Sequence, residues 1–192
     1  MTRFCVPSDA VSTVGRAAHD VGLAAILGGN LFARFGMHPA MTEVTNERER
    51  GRVVNRAWAR YGAVNGVGLA AVITGWVAAR ANETRPRWLT ARERQRAGMK
   101  DMAIGAVTVT GLASAIAGTR FARMEPDGAV PLIDGDRVSP NASDTERRTK
   151  RLLNALGVAN LISATTLAGI NASIAQASYR RPPLRRLARR NW

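Results

Sequence analysis

The sequence predicts an all-α protein: four transmembrane helices in one antiparallel bundle, with a short irregular or hairpin-containing loop between the third and fourth. Three observations predict it. Four stretches, Val21–Ala33, Tyr61–Ala79, Met102–Thr119 and Leu152–Tyr179, contain no Asp, Glu, Lys or Arg. The chain carries 28 Lys and Arg against 14 Asp and Glu, so its charge is crowded between those stretches. An ion at the centre of a bilayer is costly, which gives the segregation a physical cause. Helix-start signals precede the last three stretches. A soluble Ala-rich bundle shares the mean hydropathy of −0.12. It would, however, place charges on one face of every helix, and the last three stretches have none over about the 20 residues that a spanning helix needs.

The first helix is expected from Ser8 or Ala10 to Phe35–Gly36, ending before Pro39. Its uncharged core is short, so Arg16, His19 and Asp20 must sit at one interface while Arg34 snorkels to the other. Asn46 with Glu49 three residues on marks the start of the second helix. There Val53, Val54, Ala57, Trp58 and Tyr61 alternate with Arg52, Arg56 and Arg60, an amphipathic lead-in to the span. Asn82–Arg87, with Pro86, reads as a turn. Thr90 with Glu93 is a capping box opening the third helix, and Ser143 with Glu146 opens the fourth. Between them, Asp134-Gly135 flanked by Val130–Ile133 and Arg137-Val138 reads as a short hairpin turn. The spans are therefore expected at about 11–35, 61–79, 102–119 and 152–178 within a domain of residues 1–179, followed by a basic tail, 180–192.

A net charge of +14 and a pI near 11.7 would suggest nucleic acid in a soluble protein. Here the excess lies beside apolar stretches, where anionic headgroups are the nearer partner and no nucleic acid is expected. Arg180, Arg181, Arg185, Arg186, Arg189 and Arg190 of the tail are the expected headgroup ligands. Cys5 is alone and forms no internal disulfide. The first apolar run begins too far in for an ordinary cleaved signal peptide, so it is expected to be retained. The location implied is the cell membrane, multi-pass. Basic residues divide almost evenly between the two sides; the Arg-only tail and the acid-containing Arg120–Arg151 loop favour both termini in the cytoplasm.

Helix association in lipid rests on close packing and interhelical hydrogen bonds. Small residues recur every four positions: Gly62, Gly66, Ala70, Thr74 and Ala78 in the second span, Ala25, Gly29 and Ala33 in the first. Gly118 and Gly169 lie on like ridges in the third and fourth. Packing within the chain is the first expectation for these ridges, contact with another copy or another membrane protein the second. Asn30, Asn65, Asn160 and Asn171 lie inside the spans and need partners. With His19 and Asp20 at the mouth of the first span they form a candidate polar cleft.

His19, then eight residues to Gly28-Gly29, with Ala24 and Ala25 between and Pro39 beyond, resembles the opening of copper-resistance D type membrane proteins; Leu27 stands where those carry Trp. His19-Asp20-x-Gly22, Gly28-Gly29 and Arg52-x-x-Asn55-x-x-Trp58-x-Arg60 resemble uncharacterised actinobacterial four-helix integral membrane proteins. That resemblance implies a fold and a location and brings no activity. His38 lies at the opposite membrane face from His19, so the two histidines cannot share one ion. Met99 or Met102 could approach His19, a thin site by itself. No cofactor fingerprint or catalytic constellation is present, and no metal site is assigned. The leading expectation is a non-enzymatic structural or accessory membrane protein acting through helix–helix contacts. The alternatives are a transporter-like or ligand-binding bundle with a polar cleft, then a haem- or metal-binding membrane protein.

Overall fold

The computed structural model describes residues 8–82 and 90–179. Four long helices account for most of them: α1 (Ser8–Phe32), α2 (Glu47–Asn82), α3 (Ala91–Ala122) and α4 (Asp144–Tyr179). Cys5, the Pro86 turn and the arginine tail lie outside the described residues.

Three of these helices, α2, α3 and α4, are long and apolar enough to cross a membrane. α1, which the sequence also leads one to expect as a span, does not reach that standard. Asp20 and Arg34 bound a charge-free run too short for it. Pro39 does not end the first helix as expected. α1 widens into a π-helical turn, Ala33–Met37, and continues through His38–Ala40; the wider turn precedes Pro39, where proline removes a helical hydrogen bond.

The expected caps form. Asn46 Oδ1 accepts the N–H groups of Arg48 and Glu49 at 2.9 and 3.2 Å. Thr90 and Glu93 cap α3 reciprocally. Ser143 and Glu146 do the same for α4, at 2.7 and 3.3 Å.

The helices pair as two antiparallel hairpins. In the first, Gly15 faces Gly75, Gly22 faces Gly68, and Gly29 lies against the Tyr61 ring. Each step is seven residues forward on α1 and seven back on α2, the 3.5-residue repeat of a left-handed supercoil. A Cβ at Gly22 would run into the Gly68 carbonyl oxygen, and one at Gly75 into that of Gly15. The backbones therefore touch, and Ala71 and Ala78 flank the contact. In the second hairpin Asn160 packs beside Gly111, Leu153 beside Gly118, and Lys150 over Phe121. Here larger side chains fill the gap. The hairpins meet where α1 touches α4 and α2 touches α3. Leu23, Ile26, Val72, Trp76, Ile104, Val107, Ala164 and Leu167 form a core to which all four helices contribute.

The small-residue ridge expected on α2 is not this interface. Gly62, Gly66, Ala70 and Thr74 are exposed, and no neighbour lies within 4 Å of a Cβ built on Gly62 or Gly66. Gly169 on α4 is likewise open, whereas Gly118, Ala25 and Gly29 do lie at helix contacts. The physical reason is angular. Steps of four residues drift around a helix of 3.6 residues per turn, while steps of seven return almost to the same face.

Residues 123–143 fold over one end of the bundle. A single antiparallel bridge, Leu132 with Val138, closes the hairpin turn expected at Asp134-Gly135. It is one bridge rather than a ladder. Val130 and Leu132 are buried with Val54 and Phe121 in a second apolar cluster beneath this cap.

The register makes an opposite-signed prediction for two glycines. Gly22→Ala forces the α1 and α2 backbones apart and should lower thermal stability in detergent by about 1–3 kcal/mol. Gly66→Ala meets open space and should be neutral or stabilising by up to about 1 kcal/mol through helix propensity. Thermal unfolding followed by circular dichroism reads both; equal losses would place the helix contact elsewhere.

Candidate functional site

The six expected cleft residues separate into two clusters and one lone residue. At mid-bundle, Asn30 Nδ2 donates to Asn160 Oδ1 at 3.2 Å and to the Ile26 carbonyl at 2.8 Å. Asn160 Nδ2 donates to the Val107 carbonyl at 3.1 Å and to Thr110 Oγ1 at 2.9 Å. This knot joins α1, α3 and α4 and satisfies these amides within the bundle.

Toward the end where α1 begins, His19, Asp20 and Asn171 meet. His19 is 2% exposed, with Nδ1 3.2 Å from Asp20 Oδ1. Asn171 Nδ2 donates to the same carboxylate oxygen at 3.0 Å. With Nδ1 protonated toward Asp20, the Nε2 lone pair is left over. His19 Nε2 and Asn171 Oδ1 are both buried without a hydrogen-bond partner among the described residues. Lys100, 9% exposed, lies over the Trp76 ring at 4.3 Å, and Asp101 accepts from Trp76 Nε1 and Arg80 at 2.5 and 2.9 Å. Met99 and Met102 are 50% and 77% exposed, whereas His19 is buried. Among the described residues no three His, Cys, Asp or Glu side chains converge on a point that would hold a metal. Asn65 stands apart, its Oδ1 buried without a partner among the described residues.

A third polar cluster, at the capped end, was not legible in the sequence. The π turn swings His38 inward, where it is 8% exposed. Its Nδ1 lies 2.9 Å from Asp136 Oδ1, and Trp58 Nε1 donates to its Nε2 at 3.3 Å. A neutral imidazole protonated at Nδ1 satisfies both contacts. Gly135 lies flat on the His38 side chain with no room for a Cβ, and its N–H donates to the His38 carbonyl at 3.1 Å. Asn154 Nδ2 holds the Asp136 carbonyl at 2.8 Å. Arg50 Nη1 donates to the Ile133 carbonyl at 2.5 Å, and Asn55 Nδ2 to the Gly128 carbonyl at 2.7 Å. Gly51 clears space for Val130. The cap is thus fastened to α1, α2 and α4 by side chains.

The hydrogen bond from His38 holds the Asp136 carboxyl below the usual carboxylate range against the opposing effect of burial, with the Lys150 and Arg34 charges adding to it. For Asp134, burial would raise the carboxyl, but hydrogen bonds from the Arg137 side chain and the Asp136 and Arg137 backbone outweigh it and lower it. An open depression of about 390 Å³ lies beside the cap, lined by Asn46, Glu47, Arg48, Pro131 and Asn141, none of them an expected cleft residue.

Comparison with protein-family models, curated proteins and solved structures finds no match. The resemblances read from the sequence rest on the residues that carry them.

The cap gives a pH prediction. A carboxyl whose folded pKa is depressed contributes stability that is present above its unfolded pKa, ~4, and is lost as pH falls through the lower folded value. The Asp136 contribution should therefore be intact at neutral pH and disappear in acid. Asp136→Asn should cost about 1–3 kcal/mol at pH 7 and make detergent thermal stability less steep below pH 4. An acid dependence identical to that of the parent chain would show that the His38–Asp136 pair does not fasten the cap.

Proposed function

We propose that the chain is a small multi-pass membrane protein of structural or accessory type, non-enzymatic, in which all four helices cross the bilayer as an antiparallel bundle. The single observation that carries the role is the outward ridge of Gly62, Gly66, Ala70 and Thr74. In lipid, such small residues permit a second helix to approach closely, and this chain leaves them facing away from its own bundle. In this reading a second copy of the chain covers the ridge.

What supports α1 as a span is its partner. It lies against α2 from Gly15–Gly75 to Gly29–Tyr61, beside the charge-free Tyr61–Ala79 stretch. Asn30 is bonded inward to Asn160 and His19 is buried, and Val14, Val21, Leu31, Phe32 and Phe35 face outward. The run from Asp20 to Arg34 is about 20 Å long. Local bilayer thinning and snorkelling of Arg34 accommodate the mismatch. In this reading both termini face the cytoplasm.

A ligand-binding or transporter-like bundle is the second reading, favoured by the polar groups strung along the α1–α4 side: His19 with Asn171, then Asn30 with Asn160. Asn30→Cys separates the two, since a hydrated path lets a water-soluble maleimide label it in intact membranes and a dry interior does not.

The ridge is tested by cross-linking in a Cys5→Ser background. Gly66→Cys should form a disulfide-linked dimer in native membranes, whereas Val109→Cys, 67% exposed on α3, should not. Monomer at both positions would remove self-association, and a cross-link from Gly66→Cys to a different protein would make the partner another membrane protein.

A further inference from the structure

We propose that the outer face of α2 near the capped end binds the headgroup of an anionic phospholipid through Arg52, Arg56 and Arg60. The inference rests on the membrane reading above and adds a ligand class and a site to it.

The three arginines recur every four residues and are all exposed. At a rise of 1.5 Å per residue they stand about 6 Å apart and cover about 12 Å along one side of the helix. Among the described residues, none of their guanidinium groups enters a hydrogen bond or an ion pair. Neighbouring arginines do: Arg48 pairs with Glu125 at 3.0 Å, and Arg50 donates to the Val44 carbonyl at 2.5 Å. After Glu49, α2 carries no acid to compete for them.

Position distinguishes this group from a solvated charged face. Arg60 directly precedes the charge-free Tyr61–Ala79 stretch, so the series descends from water to the hydrocarbon edge. Below it on the same side, at three- and four-residue steps, come Ala63, Val64 and Val67, all exposed. A cationic column above an apolar strip matches a lipid with a phosphate above an acyl chain. A guanidinium presents paired N–H groups to phosphate oxygens, and an unpaired ion at the hydrocarbon edge gains most from such a partner.

The test uses the full chain purified in mild detergent, with phosphatidylglycerol or phosphatidylcholine added and retained lipid counted by native mass spectrometry. The parent chain should retain phosphatidylglycerol preferentially. Arg52→Gln/Arg56→Gln/Arg60→Gln should lower that retention about tenfold or more. Arg123→Gln/Arg148→Gln/Arg151→Gln removes the same charge from exposed positions at the same end and should retain most of the lipid. Equal losses in the two triple variants, or equal retention of both lipids by the parent chain, would overturn the site in favour of general attraction to a basic protein. If the glutamine triple variant does not fold, the Arg→Lys triple variant keeps the charges; about threefold weaker retention is expected from loss of the paired contact, and no change overturns the proposal. Gly66→Leu should leave retention unchanged, which separates this site from the ridge. Release of the chain from membranes by alkaline carbonate would instead overturn the membrane reading, and it is measured independently of lipid retention.

Discussion

Where Gly22 meets Gly68 and Gly15 meets Gly75, two helix backbones are in van der Waals contact with no side chain between them, and the arrangement of the first hairpin follows from that contact. In the membrane setting proposed above, lipid supplies no hydrophobic drive toward helix pairing, so atoms must gain more from each other than from acyl chains. Close backbone approach achieves this by multiplying weak dispersion contacts over a long seam. Once α1 is fixed against α2, Asn30 and His19 are turned toward α4, and the π turn carries His38 under the cap.

The polar groups then divide the bundle into levels. Asn160 at mid-depth uses both of its amide hydrogens within the chain, on Val107 and Thr110. The His19–Asp20–Asn171 group leaves two buried atoms unmatched among the described residues. The His38–Asp136–Trp58 group is fully matched and lies under a packed cap. A matched group rigidifies its surroundings, and an unmatched one marks where the packing is least settled.

Local signals were readable from the sequence, and relations between distant segments were not. The capping boxes at Thr90 and Ser143 involve residues three apart, and both form. The three longer uncharged stretches lie within three helices able to cross a membrane. The four-residue ridge of α2 is present, but it faces away from the bundle rather than toward α1. In a chain this rich in Ala and Gly, several spacings of small residues coexist, and only the seven-residue one recurs in register on both α1 and α2. His38 and Asp136 are 98 positions apart, and neither carries a local mark of the other. The π turn that brings them together has no sequence signature comparable to a cap.

The seven-residue spacing of the glycine contacts also limits how the first hairpin can move. Sliding α1 along α2 by a single residue turns every contact glycine away from its partner at once and brings Cβ atoms against backbone. The next register that restores close contact lies seven residues away, about 10 Å along the axis, farther than the tethered Ala33–Asn46 connection permits. The hairpin therefore behaves as a locked rack with one usable notch. Among the described helices the freer relative motion is then rocking of one hairpin against the other, along the α1–α4 and α2–α3 lines, where contact is sparser and the unmatched His19 and Asn171 atoms lie.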